Sequence, residues 1–154
     1  MKTLKDVNLT ENEYKTMISK VKVSEEKINE IFQKLYDYVQ KVVVKVPLEP
    51  SCKIELIHLS HIDEEDKSIL NAEVIKIDER DYQIIIYPKL IEELFRHAHF
   101  VMSYSKIFTK IPRTHKDIHA LTETILLYWL VFIFSHEYCH IELSPDWGLR
   151  NRSL

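Results

Sequence analysis

The sequence predicts an α+β domain: an N-terminal helix, a small mainly antiparallel sheet and two long C-terminal helices. Three observations predict this class. Apolar residues recur every three or four positions from Ser24 to Val46, alternate with polar residues in short runs between 53 and 87, and return to helical spacing after Pro88. Residues 1–154 are predicted to form a single domain, because no proline-rich linker, repeat or low-complexity tract divides them.

The N-terminal helix is predicted to run from Ser24 to the residue before Pro47. Its apolar side chains fall on one face: Ile28, Ile31, Phe32, Leu35, Val39, Val42, Val43 and Val46. Residues 1–22 are polar and weakly patterned, so we expect them to be loosely ordered. The runs KIELIH, AEVIKID and YQIIIYP show the period of strands and predict the sheet.

Two helices are predicted in the C-terminal half. Pro88 can occupy the first turn of the first helix, because its missing N–H costs nothing there. Thr114 and Asp117 resemble a capping box at the start of the last helix, which continues to Leu143 and leaves 144–154 as a short tail. Its longest apolar run, ILLYWLVFIF, is about half of what a bilayer crossing needs. We therefore expect a buried helix and no membrane partner.

Composition excludes several functions. The chain has a single glycine, Gly148, where average usage would give about eleven. Gly-rich nucleotide loops and the nucleophile elbow of serine hydrolases are therefore excluded. A formal net charge of −3 argues against a nucleic-acid partner. Two distant cysteines and an N-terminus without an apolar signal core indicate a reduced, cytoplasmic setting.

The most specific motif is HExxH, formed by His136, Glu137, Tyr138, Cys139 and His140 on the last predicted helix. Histidines four residues apart project from one helix face and can bind one metal ion. Zn²⁺ is the predicted cofactor, because two imidazoles and one further ligand leave a coordination position for water. Glu137 is then the predicted general base that takes a proton from this water, and the reaction class is amide hydrolysis.

The segment VFIFSHEYCHIEL, residues 131–143, resembles the active-site helix of zincin metallopeptidases. The order of a sheet followed by two helices is also similar to compact intracellular zincins of the ImmA/IrrE type and to the phage-exclusion peptidases. This resemblance implies that His136 and His140 are zinc ligands, that Glu137 is the catalytic base, and that the substrate is a protein or peptide inside the cell.

The third zinc ligand is left open by the sequence. The metzincin pattern HExxHxxGxxH/D places Asp146 at the ligand position, but Leu143 stands where that pattern has glycine. Glu142 is about 200° of helix rotation from His140 and is predicted to face away from the metal. Cys139 points off the ligand face and is predicted to be a small buried residue. The remaining histidines are expected to be solvated or structural: His58, His61, His97, His99, His115 and His119.

The sequence thus predicts a zinc-dependent metallopeptidase with Glu137 as its base and His136, His140 and Asp146 as its metal ligands. Two alternatives stay open. The chain could be a catalytically incomplete zincin-like module with a binding or regulatory role, or the N-terminal fragment of a longer peptidase that carries the third ligand elsewhere. The oligomeric state is not predicted.

Overall fold

The computed structural model describes residues 9–42, 53–104 and 114–143, and the side chains of these residues up to position 141. The described chain contains four helices, three strands and two short 3₁₀ turns at Leu59–His61 and Asp66–Ser68. In chain order the longer elements are α1 (Glu11–Ser19), α2 (Glu25–Val42), β1 (Lys53–Leu56), β2 (Ala72–Lys76), β3 (Asp81–Ile86), α3 (Pro88–Tyr104) and α4 (His115–Leu143). The predicted α+β class and order of elements are confirmed.

The sheet is mixed and has the order β1-β3-β2. β2 and β3 form an antiparallel pair, in which Val74 lies opposite Ile84. β1 instead runs parallel to β3, with Leu56 opposite Ile84. The sheet is thus less antiparallel than predicted. After β1 the chain passes through the two 3₁₀ turns and β2, and β3 then pairs with β1. The sequence could not predict this pairing, because a period of two indicates a strand but not which strand pairs with it.

The predicted helix starts are confirmed by hydrogen bonds. The Lys27 N–H donates to Ser24 Oγ at 3.2 Å, which caps α2. At α4 the Asp117 N–H donates to Thr114 Oγ1 at 3.2 Å, and the Thr114 N–H donates to the Asp117 carboxylate at 2.8 Å. This reciprocal pair is a capping box, and it satisfies amide groups that a helix N-terminus leaves unpaired.

Helix α1 was not predicted, because residues 1–22 were expected to be loosely ordered. Thr10 and Glu13 form a capping box at its start. Its Tyr14 hydroxyl lies 2.6 Å from His97 Nδ1 on α3, and the Tyr14 ring packs edge-on against Phe100. These contacts explain why a short polar helix holds its place against α3.

The core lies between the sheet and helices α2, α3 and α4. Side chains from all of these elements meet in it, including Leu35, Leu56, Ile84, Ile86, Ile91, Phe95, Leu126, Leu130 and Phe134. Alternate residues of β3 are buried, as the predicted strand period requires. At the edge of this core Lys27 and Lys34 of α2 both bind the Glu123 carboxylate of α4.

Helix α4 is buried on one face only. The stretch His115–Ile141 is long and apolar enough to cross a membrane by length and composition alone, with a mean hydropathy of 1.6 in its most apolar window. Only 22 % of that window is buried. A core helix of a soluble protein meets the same test, and Leu126 and Leu130 are fully buried in the core here. The expectation of a buried helix is therefore correct for one face and wrong for the opposite one, where Tyr128 and Phe132 are exposed.

Candidate metal centre

Helix geometry places the HExxH residues at the boundary between the core and the solvent. Leu126, Leu130 and Phe134 follow one another at intervals of four and are buried. A step of two residues turns a helix by about 200°, so His136, two residues after Phe134, points to the opposite side. It is exposed, whereas Glu137 is half-buried because it lies closer to the buried face.

His136 and His140 point towards each other. Their Nε2 atoms lie 3.0 Å apart, and their rings are nearly perpendicular, with centroids separated by 4.5 Å. On a tetrahedral zinc ion with Zn–N distances of about 2.0–2.1 Å, two imidazole nitrogens stand roughly 3.3–3.4 Å apart. The two nitrogens thus lie slightly closer together than on a shared zinc ion, and their distance is also that of a hydrogen bond between the two rings.

Glu137 has its pKa raised above the ordinary value. Burial is the main cause, because it disfavours the charged carboxylate. The neighbouring His140 and His136 act in the opposite direction, and the negative charge of Glu73 raises the pKa further. A carboxylate with increased proton affinity beside two imidazoles is suited to take a proton from water.

Glu73 is brought to this site by β2 and was not predicted as a site residue. Its carboxylate accepts a hydrogen bond from the hydroxyl of the buried Tyr87. Burial and this hydrogen bond raise the pKa of Tyr87, so the phenol keeps its proton and remains a donor. The strand pattern of AEVIKID indicated where Glu73 lies in β2, but no local signal indicated that β2 packs beside the end of α4.

An open cavity of about 260 Å³ borders His136 and Glu137. Its wall is formed by the start of β2, by α3 and by the exposed side of α4, through Asn71, Ala72, Leu90, Phe132, Ile133, His136 and Glu137. Most of these side chains are apolar. A ligand in the cavity would thus contact Glu137 and His136 at one end and apolar groups elsewhere.

The predictions for Asp146, Glu142 and Cys139 have different outcomes. Asp146 lies outside the described residues, so its role stays a prediction, and the side chain of Glu142 is likewise not described. Cys139 is an exposed free cysteine, and the expectation that it is buried is wrong, because it lies away from the Phe134 face. Within 9–42, 53–104 and 114–143, no three His, Cys, Asp or Glu side chains are grouped so that they could hold a metal ion.

The remaining histidines have contacts consistent with structural roles. His58 lies between Gln33 and Ser60, at 3.2 and 2.9 Å. His99 stacks on Phe95, and its ring centroid is 5.4 Å from that of His119.

Comparison of the chain with protein-family models, with curated proteins and with solved structures finds no match. The resemblance to zincin helices rests on the sequence of residues 131–143 alone and stays a prediction.

Proposed function

We propose that this protein is a zinc-dependent peptidase. The observation that carries the proposal is the approach of two Nε2 atoms to 3.0 Å on one helix face, with the half-buried Glu137 between the two histidines in sequence and a cavity that His136 and Glu137 line.

His136 and His140 would hold the zinc ion through Nε2, and Asp146 is the proposed third ligand. A zinc ion bound there would lower the pKa of a water molecule and would polarise a carbonyl oxygen. Glu137 would accept a proton from a water molecule and deliver it to the leaving nitrogen, and its raised pKa and its place on the cavity wall support this role. The Tyr87 hydroxyl holds Glu73 in place beside Glu137.

The cavity supports a peptide as the substrate. Ala72, which lines it, is the first residue of β2. Among the described strands β2 pairs only with β3, so one edge offers backbone groups to an extended chain. We propose the cytoplasm as its location, because a chain with two cysteines far apart in sequence suits a reducing compartment.

A binding or regulatory module is the second candidate function. The observation that favours it is that the described residues bring the two proposed ligands together without a third His, Cys, Asp or Glu beside them. Such a module would retain the helix and the cavity and would bind a peptide without cleaving it.

Hydrolysis of an unfolded substrate distinguishes the two functions. The zinc-loaded protein is incubated with reduced, alkylated casein, and new amino termini are counted by a fluorogenic amine reagent. We expect cleavage by the wild type and a loss of about 10²–10⁴-fold in Glu137→Gln, the range for removal of a general base. Equal cleavage by both proteins would contradict the peptidase proposal. Zinc binding without cleavage by the wild type would favour the module.

A further inference from the structure

His136 lacks the hydrogen bond that usually orients a metal-binding histidine. Such a histidine binds the metal through one ring nitrogen and donates a hydrogen bond from the other to a carboxylate, a carbonyl or water, which fixes the ring. His136 points its Nε2 at Nε2 of His140, at 3.0 Å. In the part of the chain that the structure describes, Nδ1 of His136 has no protein hydrogen-bond partner. The orientation of this exposed imidazole therefore depends on other contacts of its ring.

The His136 ring is stacked on the ring of Phe132, one helical turn earlier. The ring centroids are 6.5 Å apart and the ring planes are inclined by 24°. Side chains in a helix lean towards its N-terminus, so the imidazole of His136 lies back over the residue four positions before it. Spacing alone does not produce the contact, because Tyr128 and Phe132 are also four residues apart and their rings do not stack in the described chain.

The stack with Phe132 is compatible with metal binding, whereas the contact between the two Nε2 atoms is not. A zinc ion binds the lone pair of a neutral imidazole nitrogen. An ion shared by His136 and His140 would occupy both Nε2 lone pairs, so no hydrogen bond between these nitrogens could remain. The stack involves the face of the His136 ring and leaves the nitrogen at its edge free. The contact with Phe132 can therefore hold the ring both before and after an ion binds.

We propose that Phe132 is a positioning residue of the metal centre: its ring holds the His136 imidazole turned towards His140 and so prepares the pair for one ion. This inference rests on the proposed function for the identity of the ion, and it adds to the site a residue outside the HExxH motif. A ring that is already ordered loses less conformational entropy when it binds a ligand, so the stack increases the affinity for zinc. Loss of the stack should not unfold α4, because Phe132 is largely exposed.

The zinc affinities of matched variants test the proposal. Phe132→Leu removes the ring but keeps an apolar side chain with good helix propensity. Phe132→Tyr keeps a ring that can stack. Tyr128→Leu is the control, because it replaces another exposed aromatic residue of α4 by leucine, one turn further from the histidines. Dissociation constants for Zn²⁺ are measured by competition with a chromophoric chelator, and circular dichroism shows that each variant is folded.

We expect Phe132→Leu to weaken zinc binding roughly 3–10-fold, the change that corresponds to the loss of one aromatic pair. Phe132→Tyr should bind zinc as the wild type does, because a phenol ring stacks in the same way. Tyr128→Leu should also bind zinc as the wild type does, because the Tyr128 ring contacts neither histidine ring in the described chain.

A second measurement follows the ring contact itself. Nuclear Overhauser effects between the ring protons of Phe132 and His136 are recorded by NMR, first on the zinc-free wild-type protein and then on the zinc-loaded protein. The His136 signals are assigned by their loss in His136→Gln. We expect the effect in both states, because the stack leaves Nε2 of His136 free to bind the ion.

Three outcomes would overturn the proposal. The first is zinc binding by Phe132→Leu that is as tight as that of the wild type, or that Tyr128→Leu weakens equally. The second is the loss of the Overhauser effect when zinc is added. The third is a wild-type protein that binds no zinc, which removes the metal centre as well. If zinc affinity depends on Phe132 as expected but casein is not cleaved, the peptidase function fails and the positioning role of Phe132 stands.

Discussion

Phe132 and His136 stack on consecutive turns of α4, with ring centroids 6.5 Å apart and ring planes inclined by 24°. This contact joins the apolar part of the cavity to the histidine pair. It exists because the exposed face of α4 carries aromatic side chains as well as the motif, while Leu126, Leu130 and Phe134 anchor the opposite face in the core.

Shortening a side chain to alanine should lower stability much more on the buried face of α4 than on its exposed face. Leu130→Ala removes a fully buried side chain, and we expect it to lower the free energy of unfolding by about 2–5 kcal/mol through lost burial and a residual cavity. Phe132→Ala removes a larger side chain that is 71 % exposed, so its effect should stay within about 0.5 kcal/mol. Urea denaturation followed by circular dichroism measures both. Equal destabilisation would contradict the burial of α4 on one face.

The link between α2 and α4 should depend on salt. Glu123 binds Lys27 and Lys34, and its side chain is 21 % exposed. Burial opposes the charged form of Glu123, but the hydrogen bonds from the two lysines outweigh it and lower its pKa. We expect Glu123→Gln to cost about 0.5–1 kcal/mol of unfolding free energy at low salt, and less at 1 M NaCl, where charges are screened within about 3 Å.

The control for this prediction is Glu11→Gln. Glu11 pairs with Lys15 at 2.6 Å on α1, but both side chains are largely exposed. Its loss should change stability by less than about 0.5 kcal/mol at any salt concentration. If the two substitutions had the same effect, the contribution of Glu123 to the packing of α2 against α4 would be refuted.

Stability should fall when the solution is acidified below about pH 6.5. Burial lowers the pKa of His99 from 6.5, and the charges of His119 and His115 lower it further. The unfolded chain therefore binds more protons than the folded chain in the window between the lowered pKa and 6.5, and the free energy of unfolding decreases as the pH falls through it.

The variant His99→Gln removes this ionisable group and should flatten the pH dependence in that window. Urea denaturation at a series of pH values measures the slope. His61→Gln, which removes an exposed imidazole, controls for the loss of a histidine as such. An unchanged slope in His99→Gln would show that His99 does not stay neutral in the folded protein.

Most helices of the fold could be predicted from local sequence signals. Ser24, Pro88 and the Thr114–Asp117 pair act within one helical turn, so the sequence alone reveals the starts of α2, α3 and α4. The start of α1 carries the same kind of signal at Thr10 and Glu13. Helix α1 was not predicted because its apolar residues form only a weak pattern.

The parts that could not be predicted depend on contacts between distant segments. The parallel pairing of β1 with β3 joins residues separated by an entire strand, and the approach of Glu73 to Glu137 joins a strand to a helix more than sixty residues later. The exposure of Tyr128 and Phe132 also escaped prediction, because α4 is apolar on both faces and its sequence does not show which face the core covers.

Zinc binding by His136 and His140 is the central claim, and metal titration tests it most directly. The apo protein is titrated with Zn²⁺ in a calorimeter, and bound metal is then counted by atomic emission after gel filtration. We expect about one zinc ion per chain in the wild type and in Glu137→Gln, and none retained in His136→Ala or His140→Ala, because each removes a ligand. Retention of zinc by both histidine variants, or none by the wild type, would contradict the claim.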